Sequence, residues 1–171
     1  MIEHKSIESF DVGVETYWRE LCLSLEYQEH VYREALHCTR MEVLEHVGGY
    51  EQGMRRRLRF SRALEAPAAV TKIFGSMVSI EEHSEFDAKA QRWSYRIVPA
   101  VMADRIDIRG SVTLQARPGG VDQHGITNVN VRIFGLGSII EHFVLKATED
   151  GSADKNRVTR RYIVDKGLAG R

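Results

Sequence analysis

A surplus of either charge is missing from this chain: its 171 residues carry 24 Lys and Arg against 24 Asp and Glu. A nucleic-acid-binding domain normally carries a basic surplus, so no nucleic-acid partner is expected. Cysteine is scarce. Cys22 and Cys38 are too few for a disulfide scaffold or a thiolate-rich zinc cluster. No apolar run approaches membrane-spanning length, so no integral membrane segment is expected. The opening residues, MIEHKSIESF, lack the apolar stretch of a secretory signal, and a cytoplasmic location is the expectation. There is no internal repeat, low-complexity segment or linker, so 1–171 reads as a single domain. A P-loop, a dinucleotide glycine fingerprint and a serine-nucleophile elbow are all absent. No catalytic residue set, cofactor or metal is therefore expected from motifs.

What is present is the patterning of a folded chain, with 43% apolar and 28% charged residues, an ordinary balance that excludes disorder as the class. The organising stretch is a long helix predicted from Leu136 to about Ile163. Leu136, Ile139, Ile140, Phe143, Val144 and Ala147 fall on one face, and the stripe returns after Gly151 at Val158 and Tyr162. Glu141, Lys146, Glu149, Asp150, Lys155, Arg157 and Arg161 are assigned to the other face. An oily helix face needs a cover, and most of the upstream chain alternates with the period of a β-strand.

Taken in order, Ile2–Phe10 reads as a strand. Asp11 is placed to cap a helix over Val14–Cys22, and Ser24 to cap a second that runs to about Leu36. Met41–Val47 is a strand, Gly48-Gly49 a hairpin turn, and Met54, Arg56, Leu58 and Phe60 alternate with Arg55, Arg57 and Arg59. Pro67 breaks the sheet, and Ala68–Phe74 reads as a short amphipathic helix stopped by Gly75. Val78–Phe86 and Trp93–Val98 follow, the latter with Trp93, Tyr95 and Ile97 on one face. Ile106, Ile108, Gly110, Val112 and Leu114 alternate with Arg105, Asp107, Arg109, Ser111 and Thr113. After a turn at Pro118-Gly119-Gly120, Thr127, Val129, Val131 and Ile133 form a final alternation. The expected sheet is twisted, antiparallel and solvated on its outer face.

This order resembles the helix-grip fold of the START-like superfamily, also called Bet v 1-like or SRPBCC. The segments YWRELC, LEYQEHVYREAL, EAPAAVTKIFG and FGLGSIIEHFV carry the resemblance, which spans nearly the whole chain and is nearest in flavour to an uncharacterised bacterial branch. The fold class it implies is α+β: a curved antiparallel sheet wrapped around a long carboxy-terminal helix, with two short helices after the first strand. The function it implies is non-catalytic binding or transport of a hydrophobic small molecule, lipid, sterol or polyketide-like, held between sheet and helix. Two rivals stand beside it: an enzyme resembling the polyketide cyclases and aromatases, and a closed-core module that interacts through its surface. Ionisable side chains deep in a cavity favour the enzyme, an apolar floor the carrier, and a filled core the module.

The expected pocket lining combines inward strand positions with the inner helix face: Leu58, Phe60, Trp93, Tyr95, Ile97, Ile108, Val112, Val129, Val131, Ile140, Phe143 and Ala147. Equally, these residues can pack a solid core, since alternation alone does not separate the two. Arg56 stands out on an apolar strand face. Inside, it needs an anionic partner such as a ligand carboxylate or phosphate; at a sheet edge, its head reaches water. Ile73 and Phe74, in a segment from Ala66 to Gly75, and Met102, in the loop from Pro99 to Asp104, are expected to border the entrance, with the short helix as its gate. His30, Glu34 and His37 share a helical face but make a poor metal site, being spread over almost two turns. Arg157, Arg160 and Arg161 with the outer arginines read as charge-balanced surface.

Overall fold

The computed structural model describes residues 1–171. Seven strands form one antiparallel sheet: β1 (Ile2–Phe10), β2 (Arg40–Gly49), β3 (Gly53–Ala63), β4 (Met77–Asp87), β5 (Arg92–Pro99), β6 (Ile106–Arg117) and β7 (Gly120–Val131). Their spatial order is β1-β7-β6-β5-β4-β3-β2, so β1 and β2 are the edges and, β1 apart, each strand pairs with its neighbours in sequence. The single long-range pairing, β1 with β7, runs from Ile2 opposite Val129 to Phe10 opposite Val121. Helix α1 (Val14–Thr16) passes directly into a π-helical turn, Tyr17–Cys22, and then α2 (Leu25–Glu34). Helix α3 (Ala68–Phe74) bridges β3 and β4, and α4 (Gly137–Asp165) lies across the concave face against β7 and β1, crossing α2. This is the α+β helix-grip arrangement.

The helix starts follow local chemistry. Ser24 caps α2 by accepting a hydrogen bond from the Tyr27 N–H at 3.2 Å, satisfying a donor that the first turn leaves free. Asp11 does not cap α1. Gly13 occupies that position, and the Asp11 carboxylate accepts from Arg117 at 2.8 Å instead. The hairpin after β2 also differs from the expected turn. Strand pairing continues through Gly48 and Gly49, and residues 50–52 make the turn. Gly48 is still required there, since its φ is +96° and a Cβ would sit 2.1 Å from the Gly53 carbonyl oxygen.

The interior is divided into three parts. One core gathers the Trp18 face of the π turn, α2 and the end of α4 around Phe10, Phe86, Trp93, Val158, Tyr162 and Ile163. A second joins α3 and the start of α4 to Ile106, Val129 and Val131. A third is smaller, with Tyr32 on Leu58 and Phe60. Helix α4 therefore contributes apolar residues near its two ends and not along its whole length. Two side chains break the stripe read from its sequence. Ile139 is exposed, whereas Glu141 is buried. The Glu141 carboxylate accepts a hydrogen bond from the Val131 N–H at 2.9 Å, which ends the β7 ladder and pulls the carboxyl below its usual range.

On the outer face, Arg57, Arg59 and His83 converge on Glu81 at 3.0, 2.7 and 3.0 Å. Those hydrogen bonds, from Arg59 first, hold the Glu81 carboxyl down at about 2. A carboxyl lowered on folding contributes stability that is complete above its unfolded value near 4.5 and is lost as pH falls through 2. Glu81→Gln is thus expected to be less stable than the parent at pH 7 by roughly 1 kcal/mol, the scale of solvent-facing pairs. Urea titrations should show that gap closing between pH 4.5 and 2. A gap constant over that interval would contradict the assignment.

Candidate functional site

Between the middle of α4 and the sheet lies a cavity of about 180 Å³. Its position follows from α4's own sequence. Thr148, Ser152, Lys155 and Asn156 are the α4 residues on its wall, and they fall between the two apolar ends of the helix. Facing them are β1 and β7, which contribute Ser6, Gln123, Gly125 and Thr127. Small residues keep this wall open: a Cβ on Gly125 would lie 2.7 Å from Ser6 Oγ.

The floor is polar and buried. The π turn leaves carbonyls at its end without helical partners. Gln28 donates to Leu21 O at 3.2 Å and to Cys22 O at 3.1 Å, and Arg56 Nη1 donates to the same Cys22 O at 3.0 Å. Arg56 Nη2 meets Glu82 Oε1 at 3.4 Å, and the Tyr32 hydroxyl donates to Glu82 Oε2 at 2.7 Å. The Arg56 guanidinium lies 4.6 Å from the centre of the Trp93 ring, a favourable cation–π geometry. Arg56 is 2% exposed, which rules out the sheet-edge reading: it sits in the second strand from the edge, its head turned inward. Its Nε–H is buried and has no partner. An orphaned buried donor is costly, and Trp18 Nε1, Arg117 Nε and His124 Nε2 share that condition.

Four tyrosines surround this floor, each with its hydroxyl engaged. Tyr17 bonds Gln123, Tyr27 bonds Thr159, Tyr95 bonds Thr127 and Tyr32 bonds Glu82. Burial pushes all four phenols above their usual range, with the Glu82 charge adding to the effect on Tyr32. Burial likewise pushes the Cys22 thiol up to about 12. These groups stay protonated at neutral pH and present donors and apolar faces rather than nucleophiles. Gly110 shapes the same wall, since a Cβ there would lie 2.3 Å from the Tyr95 ring and hydroxyl and 2.6 Å from Ile126 O. Gly110→Ala is expected to destabilise by about 1–3 kcal/mol, as overpacking does, and to displace Tyr95. A thermal midpoint unchanged by the substitution would show the wall to be softer than this.

Of the residues expected from sequence, Arg56, Trp93, Tyr95 and Val112 line this cavity. Leu58 and Phe60 pack against Tyr32 in the small core. Val129, Val131, Ile140, Ile108, Phe143, Ile73 and Phe74 pack the α3 end, and Ile97 and Ala147 are half-buried outside the lining. Met102 is exposed, in a loop at positive φ. No residue of 66–75 or 99–104 borders the cavity, and Val70 of α3 is 1% exposed. Val70, Ile73 and Phe74 of that segment pack with Ile106, Val129, Val131 and Ile140 in the second core, apart from this cavity. The cavity reaches instead toward the seam between β1 and α4, clasped by His4–Glu149 at 3.6 Å and Glu8–Arg160 at 2.9 Å. Gln28, Lys155 and the tyrosines of the helices were missed. The available signal was the polar gap in the α4 stripe between Ala147 and Val158. His30 packs at a tilt on Tyr162, ring centres 5.2 Å apart, His37 lies beyond α2, and no group of three or more His, Cys, Asp or Glu side chains converges to hold a metal.

Fold and cavity together define a helix-grip protein with a polar-floored chamber. The structure aligns over 96% of this chain and 99% of a Thermus thermophilus protein, TTHA0849, with a TM-score of 0.68 at 14% identity. It aligns over 94% of this chain and 92% of the Zhui aromatase/cyclase of Streptomyces sp. R1128, with a TM-score of 0.65 at 10% identity. A third likeness is Ara h 8.0201, covering 92% of this chain and 97% of that one, with a TM-score of 0.60 at 11% identity. At such identities the likeness is one of fold. No curated protein matches the sequence. Residues 7–163 match the family described as "Protein of unknown function (DUF2505)", and the chain belongs to that family. No helix is long and apolar enough to cross a membrane.

Proposed function

We propose that this protein binds a compact small molecule in the chamber between α4 and the sheet and acts on it by sequestration, without covalent chemistry. The observation that carries the reading is the chamber itself, about 180 Å³ between α4 and the sheet, with Arg56, Trp93 and four tyrosines on its lining. A ligand's polar group meets the polar side chains of the lining while its apolar body lies among the aromatic rings. At about 180 Å³, the chamber is smaller than the roughly 300–1,000 Å³ of pockets that take drug-sized ligands. That favours a one- or two-ring molecule over the lipid or sterol cargo suggested by family resemblance. Burial of apolar ligand surface supplies the affinity, at about 25 cal/mol per Å², and the polar floor orients the molecule.

A cyclase-like enzyme is the second reading, favoured by the Arg56–Glu82 pair deep in the chamber and by the fold shared with the Zhui aromatase/cyclase. Against it, the tyrosine and cysteine acidities displaced here move away from neutrality, whereas acid–base catalysis is served by groups poised near it. Native mass spectrometry of gently purified protein tests the binding reading. The expected result is a non-covalent adduct of a small molecule, released on denaturation and reduced in Arg56→Lys. Protein that carries no adduct, and whose melting is unmoved by a library of one- and two-ring compounds, would contradict it.

A further inference from the structure

The charges around the chamber cancel. Arg56, Lys155 and Arg160 stand against Glu8, Glu82 and Glu149, and His4 is uncharged unless protonated. An ion entering this space brings a charge that nothing there is left to neutralise. What the chamber offers instead is carboxamide chemistry. Asn156 of α4 is 6% exposed and stands on the lining. Its side chain makes no hydrogen bond within the protein, and neither of its polar atoms is among those sealed from contact. A buried, unpartnered group with both donors and acceptors therefore borders the chamber. Gln28 of α2 is also 6% exposed and on the lining. Its Nε2 donates to Leu21 O at 3.2 Å and to Cys22 O at 3.1 Å, which fixes the orientation of the amide. Its Oε1 accepts no hydrogen bond and is likewise unsealed. Both carboxamides sit where α2 crosses α4: Gln28 follows Tyr27, and Asn156 lies about one turn before Thr159, the two residues whose hydroxyls tie the helices together.

Resting on the binding function proposed above, we infer that the ligand is an uncharged planar cyclic amide, a lactam of one or two rings, whose adjacent N–H and C=O pair with the Asn156 carboxamide. A ring holds its amide cis, so donor and acceptor lie side by side on one edge. The carboxamide presents the matching acceptor and donor, as it does to the edge of a nucleobase, and both bonds form at once. A carboxylate accepts without donating, and so leaves Asn156 Oδ1 facing another oxygen. A hydrocarbon chain leaves the whole amide unpaired in a buried site, which is costly. Gln28 Oε1 takes a further N–H where the ligand carries one. The flat ring lies among Tyr27, Tyr32, Trp93 and Tyr95 of the lining, where offset and edge contacts between rings are favourable.

The test pairs 2-quinolone with coumarin, the same bicycle with a ring oxygen in place of the N–H, using the full chain and calorimetry. The quinolone is expected to bind about tenfold more tightly, since coumarin loses one hydrogen bond and sets an oxygen against Asn156 Oδ1. Asn156→Leu is close in shape. It is expected to weaken the quinolone about tenfold, to spare coumarin, and to melt no lower than the parent, because no hydrogen bond within the protein is lost. Asn156→Asp, equal in size, replaces the donor with a second acceptor and is expected to weaken the quinolone as much, so the outcome does not depend on how well leucine packs. Equal affinity for the two compounds in the parent, or a quinolone preference that survives Asn156→Leu, would overturn the amide assignment and leave a small-molecule chamber in place. A lowered melting midpoint in both variants would overturn it too, by showing the carboxamide to be bonded within the protein. Binding of neither compound overturns the assignment alone if other one- or two-ring molecules bind, and the chamber reading with it if none does.

Discussion

Arg56→Ala is expected to cost about 3–5 kcal/mol of folding stability, the scale for removing one partner of a buried ion pair. The side chain is 1% exposed and Glu82 is 14% exposed. The substitution leaves the Glu82 carboxylate half-desolvated, frees the Cys22 carbonyl of one donor and removes the cation from the Trp93 face. Most of the cost lies in the stranded charge rather than in lost attraction. Adding Glu82→Gln to Arg56→Ala should therefore recover part of it, since the amide oxygen still accepts from Tyr32 and carries no charge. Urea unfolding with an unchanged slope measures both. If Arg56→Ala moves the midpoint no more than a surface arginine does, the guanidinium is solvated and the floor described here does not exist.

The second large effect separates the core from the chamber. Trp18 is fully buried, with its ring 4.8 Å from Phe86 and 5.7 Å from Tyr17. Trp18→Ala should cost about 3–5 kcal/mol, through lost burial and the cavity left behind. Phe143 lies at the centre of the stripe read from α4's sequence, yet in the structure it is half-buried at the margin of the α3 core. Phe143→Ala should cost no more than about half as much, because only its buried part loses contacts. Equal costs for the two substitutions would place the main core under the start of α4 and contradict the partition of the interior.

Much of the fold was legible because the signals are periodic. Strict alternation over Ile106–Leu114 predicted β6 and its faces, and Ser24, Pro67 and Gly75 marked helix ends through side-chain chemistry. The first half of β7 was not legible. Gln123, His124 and Gly125 interrupt the apolar alternation because they face the chamber or the outer surface rather than a core. The site was less legible still. Apolar inward residues were expected to line the cavity, yet apolar side chains close-pack wherever they meet, so they fill the interior at the α3 end. The space remains where polar side chains hold the walls apart through hydrogen bonds. Arg56 was conspicuous on its strand, but its partner Glu82 shares β4 with Glu81, Glu85 and Asp87. Only the register of β3 against β4 puts Leu58 opposite Glu82 and so brings that carboxylate next to Arg56. Gln28 and Tyr32 lie on a helix whose inner face is decided by the π turn before it, a feature that has no sequence period.

The central claim is the place of the ligand: over the Arg56–Trp93 floor and beneath the polar middle of α4. Titration of isotope-labelled protein with 2-quinolone, followed by amide and side-chain NMR shifts, tests it most directly. The account predicts saturable shifts at the Trp93 indole, the Gln28 and Asn156 side-chain amides and the Thr127 amide, with the α3 residues Val70 and Phe74 unmoved. Shifts centred on Val70, Phe74 and Met102 with a silent Trp93 would contradict it, and would return the site to the α3 end of the grip.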